Sequence, residues 1–423
     1  MRAGARRLPV SLDPMRTPAT ASTNTANPPL VAHGLAAFAL ALLLGLQPVT
    51  TDVYLPALPA LTAALGAPMS SAQLTMSALI LAFGLAQLAW GPLADRVGRR
   101  PVLLVGLVIY TGASLGAAAA GSIDALIAWR VLQGIAMAAA VVCARAIVRD
   151  LYEPTEGAQV MALALTGLGV IALLGPLAGG AAAALWGWRG ALALVAAVGA
   201  LTLAFVAARL PETAPRLNRD ATQWRGLLRN WRAIAGDRVF RAWALLVACT
   251  YGGLFTVLAA SSFVYIDVLG LTPAGYGMAM AAGSLTYLVA TLFCRRWIAR
   301  HGMAAAVRRG GWFTLAGGIA AAGLALAGVQ AVWAVLLPQC LYLFGHGMHQ
   351  PCGQAGVVAP FPHAAGTASA LAGFLLAVVA FGIGLWLGTA LDGSTRPLAY
   401  GLAFWSLATC AVAWTLVQRL GQK

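Results

Sequence analysis

Apolar residues run along this chain in blocks separated by short polar breaks that carry most of its arginines. A membrane-spanning helix takes about 20 apolar residues. Blocks of that size fall at about 31–55, 72–92, 102–120, 124–146, 158–180 and 189–209, then at 241–266, 274–297, 311–328, 331–351, 366–390 and 398–420. The runs are continuous rather than alternating, which argues against a membrane β-barrel. The longest hydrophilic stretch, 210–240, divides the blocks six and six. The pattern predicts an all-α integral membrane protein. It has twelve transmembrane helices in two pseudo-symmetric six-helix bundles, 30–209 and 241–423.

Two segments lie outside the blocks. Residues 1–29 are rich in Pro, Thr and Ala, with Arg2, Arg6, Arg7 and Arg16 and no periodicity, and are expected to form a disordered cytoplasmic tail. A signal peptide is the competing reading, but the tail is long for one and the following apolar run is too extended. Within the 210–240 linker, Trp224, Leu227, Leu228 and Trp231 share one helical face, with Arg225, Arg229 and Arg232 elsewhere on the turn. That pattern fits a short helix in the headgroup layer, or a plain solvated connector.

Composition narrows the class further. The 423 residues are 61% hydrophobic and 9% charged, whereas soluble domains carry about 25% charged residues. Soluble multi-domain enzymes and disordered chains are both excluded. A net charge of +15 could suggest a nucleic-acid partner, but the placement of the charges argues against it. With the N-terminus inside, all the basic residues except Arg130, Arg189 and Arg396 collect on the cytoplasmic side. That asymmetry places both termini in the cytoplasm. The six cysteines lie in or beside apolar stretches without CxxC spacing, as small buried hydrophobes do.

The connection between blocks 2 and 3 reads Gly91-Pro-Leu-Ala-Asp95-Arg96-Val-Gly98-Arg99-Arg100-Pro101. It is a tight turn in which glycine permits unusual backbone angles and Pro101 opens the next helix. A second basic connection, Arg295 to Arg309, occupies the equivalent place in the second half, as expected of a transporter built from repeats. Three further stretches stand out: Thr51-Asp52-Val-Tyr54-Leu-Pro56-Ala-Leu-Pro59, Arg130-Val-Leu-Gln133-Gly134 with Arg149-Asp150, and Phe361-Pro362-His363-Ala-Ala-Gly366. The first connection matches the GxLADRxGRR signature of the major facilitator superfamily. Together, the four resemble the bicyclomycin/chloramphenicol-resistance (Bcr/CflA) branch of its twelve-helix drug:proton antiporters.

The resemblance covers residues 31 to the end and implies export of a small, largely apolar drug or metabolite in exchange for protons. A symporter or facilitator of the same fold is the alternative, and a polytopic membrane enzyme a more distant one. The resemblance also makes Gly91, Asp95, Arg96, Gly98, Arg99 and Arg100 a gate that latches the cytoplasmic ends of the halves. The antiporter motif of span 5 keeps Gly175, Pro176, Gly179 and Gly180 but has Ile171 where the fuller pattern places another glycine.

Asp52 is the one acid well inside a block, and an intramembrane carboxylate costs at least about 2.5–3.5 kcal/mol. It is the candidate proton carrier, against the reading of a loop acid capping span 1. Arg130 stands six residues past Asp124, roughly 9 Å below the outer surface at about 1.5 Å per residue. Asp52 lies at a similar depth, so the two are expected to pair. Tyr54, Gln133 and Met137 are expected to line a substrate cavity beside them. His346, His349 and Cys352 recur at i, i+3 and i+6, but no acid or third histidine is near in sequence, and glycine-rich helix packing is the better reading. No HExxH or GxxxxGK[ST] stretch and no carboxylate pair inside a block supports an enzyme or an ATP-driven pump. The expected partners are a small-molecule substrate, protons and the lipid bilayer, acting on a monomer with no metal or cofactor.

Overall fold

The structure, a computed structural model, describes residues 33–421 apart from 215, 216 and 220. The tail expected over 1–29 lies outside the described residues. Among those described there are helices and no strands. Lipid offers no partner to a backbone N–H or C=O, so the apolar blocks satisfy themselves as helices.

The first half holds α1 (His33–Asp52), α2 (Leu58–Ala64), α3 (Met69–Val97), α4 (Arg99–Ala118), α5 (Ile123–Leu151) and α6 (Pro154–Arg209). A short 3-10 turn, Leu55–Ala57, joins α1 to α2. After α7 (Trp224–Gly236) come α8 (Arg238–Ser262), α9 (Pro273–Leu326), α10 (Val332–Val358), α11 (Ala365–Ala390), α12 (Arg396–Trp414) and α13 (Leu416–Leu420). Helix α8 ends in a widened π-helical turn, Phe263–Val268.

Two helices are much longer than a bilayer requires, and each is broken at one glycine. Gly187 in α6 has φ 69° and Gly302 in α9 has φ 77°, values that only glycine adopts cheaply. Nine of the described helices or helix pairs are long and apolar enough to cross a membrane. Dividing α6 and α9 at those glycines makes eleven segments; α10, with its two prolines and two histidines, is not among them, and the expected twelve requires it as well.

The observed helices outrun the apolar blocks. Arg295, Arg296, Arg300, Arg308 and Arg309, read from the sequence as a loop, lie inside helical segments on either side of Gly302. Charged residues are good helix formers, so polarity ends the membrane span but not the helix. Between α3 and α4 the connection shrinks to Gly98 alone, at φ 111°.

The halves meet along two helix pairs. Helix α3 packs on α11, where Cβ atoms added at Gly84 and Gly384 would collide with Ala377 and Ser77, and one at Gly388 would lie 2.9 Å from the Ser70 Cα. Helix α6 packs on α9, with Gly180 against the Pro273 carbonyl and Gly277 against the Pro176 carbonyl. Small residues let backbones approach closely where no hydrophobic effect drives helices together.

Candidate functional site

Arg130 lies fully buried within the first half. Its Nη1 donates to the Thr50 carbonyl (3.1 Å) and to Gln133 Oε1 (2.8 Å), and its Nε to the Thr75 carbonyl (3.3 Å). The guanidinium carbon stands 4.2 Å from the Tyr54 ring centroid. Gln133 passes the chain on, donating to Ser114 Oγ at 2.7 Å. Thr75 donates to the Ala72 carbonyl, which leaves Tyr54 Oη as donor to Thr75 Oγ1 at 2.7 Å. The charge is therefore solvated by carbonyls, an amide and an aromatic face, the arrangement that makes a buried guanidinium tolerable.

This geometry corrects two expectations. No ion pair joins Arg130 to Asp52: the Asp52 carboxylate instead accepts from Thr51 Oγ1 at 2.7 Å. Equal depth did not bring equal azimuth, for Asp52 faces the second half, within electrostatic reach of Tyr251 and Tyr276. Tyr54, Gln133 and Met137 are packed in the core of the first half, and they line no cavity between the halves in this conformation.

The cavity lies elsewhere. A space of about 110 Å³ opens between the halves, lined by Gln47, Ile80, Phe83, Gln87, Arg145, Tyr251, Gln350, Gln354, Ser369, Gly373, Leu376 and Ala377. Asp52 lies one and a half turns beyond Gln47 on α1, towards the end sealed by Ser70 and Gly388. At the opposite end a Cβ at Gly373 would lie 3.0 Å from Gln87 Nε2, and one at Gly366 would lie 3.9 Å from Arg149 Nη1. Arg145, grouped by its position in the sequence with the cytoplasmic arginines, stands in the cavity wall, and Gln47, Gln87, Gln350 and Gln354 are lining residues the sequence pattern does not single out. A neutral polar residue inside an apolar block was the available signal.

The span-5 glycines serve packing on both sides. A Cβ at Gly175 would lie 3.4 Å from the Asp52 Cβ, one at Gly179 would strike the Val53 backbone, and one at Gly180 would meet the Pro273 carbonyl at 2.6 Å. Ile171, the departure from the motif, is matched on α1 by Gly45, where a Cβ would come within 2.6 Å of the Ile171 Cδ1. A large residue on one helix is met by glycine on the other.

At the Gly98 turn, Arg99 contacts Asp95 (2.7 Å) and Asp150 (2.8 Å). Arg96 donates to Thr222 Oγ1 at 2.8 Å, and the Asp95 carbonyl accepts from Asn218. Gly91 lies near Val142 of α5. The N-terminus of α4 has no capping side chain of its own, and Glu212 supplies one from the linker. Its carboxylate accepts from the backbone of Arg99 (2.9 Å) and Arg100 (3.1 Å), and from Thr213 and Ala214. Burial opposes ionisation of Glu212, but these N–H groups outweigh it and hold the carboxyl below its ordinary value. Arg100 clamps the same linker by donating to the Leu210 and Ala207 carbonyls.

The remaining polar candidates are committed elsewhere. His346 Nδ1 is 2.9 Å from Thr250 Oγ1, and His349 Nε2 is 3.1 Å from the Val307 carbonyl. Cys294 and Cys352 stand 3.7 Å apart as free thiols. Ser114 occupies the middle of Gly112-Ala-Ser114-Leu-Gly116, the spacing of a hydrolase nucleophile turn. It sits in mid-helix with its hydroxyl spent on the Tyr110 carbonyl, not on a strand-to-helix elbow.

Comparison with known proteins agrees with this architecture. The Major Facilitator Superfamily pattern matches residues 40–385. Multidrug resistance protein D of Escherichia coli (strain K12) is 32% identical over 348 residues, covering 79% of this chain and 84% of its own. A chloramphenicol resistance protein of Pseudomonas aeruginosa is 30% identical over 374 residues, 87% of each chain. Among solved structures, the Escherichia coli xylose transporter in a partially occluded, inward-open conformation superposes with a TM-score of 0.73. It shares 13% identity and covers 92% of this chain and 99% of its own, a likeness of fold alone. The broken helices, the glycine-lined contact between halves and the Gly98 turn thus belong with a sequence match over most of the length. The chain is a multi-pass membrane transporter and belongs to the major facilitator superfamily.

Proposed function

We propose that this protein exports a small drug or metabolite across a bacterial inner membrane in exchange for protons, acting as a monomer with both termini in the cytoplasm. The observation that carries the reading is the cavity between the halves, closed off by the α3–α11 and α6–α9 contacts at the Ser70–Gly388 end. That is one face of an alternating-access cycle, the cytoplasm-facing one if the basic segments lie inside. Residues 30–209 and 241–423 rock as the two bodies, and 210–240 joins them. Helix α7, with Trp224 exposed and Trp231 stacked edge-on to it at 5.7 Å, lies in the headgroup layer with its arginines toward lipid phosphates.

Proton coupling is assigned to Asp52, which sits between the cavity and the seal. Protonation there removes a charge from the contact between halves, so it biases the exchange between the two faces. The relatives named for drug and chloramphenicol resistance support export over uptake. The test is accumulation of chloramphenicol in a pump-deleted strain with and without this protein. Export predicts lower accumulation that rises when the proton gradient is collapsed. Accumulation that falls on collapse means uptake.

A further inference from the structure

Arg145 is the one charged residue in the cavity wall, and it has no partner. No hydrogen bond or ion pair to it occurs among the described residues, and it is exposed into the cavity. A guanidinium stays protonated in any protein environment, so the wall carries a permanent, uncompensated positive charge between low-dielectric helices. No Asp or Glu lines the space. Asp95 and Asp150, at the same end of the molecule, are held by Arg99.

Arg149 follows one turn further along α5, towards the Gly98 end, also exposed. Two cations at i and i+4 thus lie along one helix face, Arg145 in the cavity wall and Arg149 beside Gly366 of α11. Around Arg145 stand the amides of Gln47, Gln87, Gln350 and Gln354, and the Gln350 side-chain oxygen is buried without a hydrogen-bond partner. Ile80, Phe83 and Leu376 supply an apolar wall opposite the polar one.

We propose that the exported substrate is an amphiphilic anion, its acidic group paired with Arg145 and hydrogen-bonded by the surrounding glutamines, its apolar body against Ile80, Phe83 and Leu376. This rests on the exporter reading above and narrows its substrate class. An anion gains a charge-assisted contact that is bidentate if the group is a carboxylate, whereas a cation of the same shape meets an unscreened like charge. The two like charges on one face of α5 also favour the approach of an anion over that of a cation.

The test uses the full chain in phosphatidylcholine nanodiscs and three probes of one shape: 2-naphthoate, 2-naphthamide and 2-naphthylmethylammonium. The expected order of affinity is anion, amide, cation, with about tenfold or more between the ends, the size of a charge-assisted hydrogen bond. Arg145→Gln should bring the three within about twofold, and Arg145→Lys should keep the anion first. The proposal is overturned if the cation binds as well as the anion, if none of the three binds, or if the order survives Arg145→Gln. Should Arg145→Gln not fold, the wild-type order decides alone. A strain that still exports chloramphenicol while its protein shows no anion preference would leave the exporter reading standing and remove only this inference. Absence of any export would remove the reading itself.

Discussion

Two of the three arginines of helix α5, Arg130 and Arg145, stand 15 residues apart, and their surroundings are opposite. The separation is roughly 22 Å along the axis. Arg130 is sealed in the first half, with Thr50, Thr75, Gln133 and Tyr54 around it. Arg145 faces the cavity between the halves with no partner among the described residues. A charge deep in a span thus serves the fold, and one that looked like a surface charge stands in the wall of the cavity between the halves. Depth along a helix does not assign the role; the direction in which the side chain leaves the helix does.

That contrast breaks most sharply by substitution. Arg130→Ala leaves a buried amide and two carbonyls without their donor and opens a void. The expected loss is about 3 kcal/mol or more, seen as a collapse in thermal stability or yield in detergent. Arg145→Ala should unfold at the wild-type temperature and yet fail to export. A stable Arg130→Ala protein, or an unstable Arg145→Ala one, would erase the distinction.

Two adjacent glycines repeat the comparison on a smaller scale. Gly179 presses on Val53 within the first half, and Gly180 on Pro273 across the divide. Gly179→Ala should lower stability by about 1–3 kcal/mol, as overpacking does. Gly180→Ala should instead pry the sealed end apart. A cysteine placed near Ser70 or Gly388 should then label several-fold faster with an impermeant maleimide, while Gly179→Ala leaves labelling unchanged.

The smallest effect concerns Glu212. Its carboxyl is held below its ordinary value, so its contribution is present above the unfolded value of 4.5 and is lost as pH falls through the lower folded value. Glu212→Gln should cost about 0.5–1 kcal/mol near neutrality, as a lost helix cap does. The deficit against wild type should shrink below pH 4.5. A deficit that stays constant down to pH 3, roughly the end of carboxylate titration, would mean the cap acts by shape and not by charge.

The sequence made the spans, the repeat and the Gly98 turn legible because each follows from local rules: apolar length, arginine placement, and glycine beside a helix-starting proline. Glu212 was illegible as the cap of α4, because it stands more than a hundred residues from Arg99 and nothing local pairs them. The Asp52–Arg130 pairing failed for a different reason. Counting residues gives the height of a side chain, but the rotation of α1 and α5 about their axes depends on what all their neighbours bury. The same rotation turned Tyr54 and Met137 inward and Arg145 toward the cavity. The residues around Asp52 show the limit well: Gly175 beside it was read from a motif, while Tyr251 and Tyr276 across the divide came only with the fold.

The central claim is that Asp52 is the group whose protonation is exchanged for substrate. The direct measurement is made in everted membrane vesicles energised to an acidic interior, with the pH gradient followed by a fluorescent weak base. Adding chloramphenicol or an anionic substrate identified by the naphthalene series should release protons from vesicles carrying the wild-type protein. Vesicles with Asp52→Asn, at equal protein content, should keep their gradient while the purified variant still binds the substrate. Equal proton release from both kinds of vesicle would contradict the account and move the coupling site elsewhere.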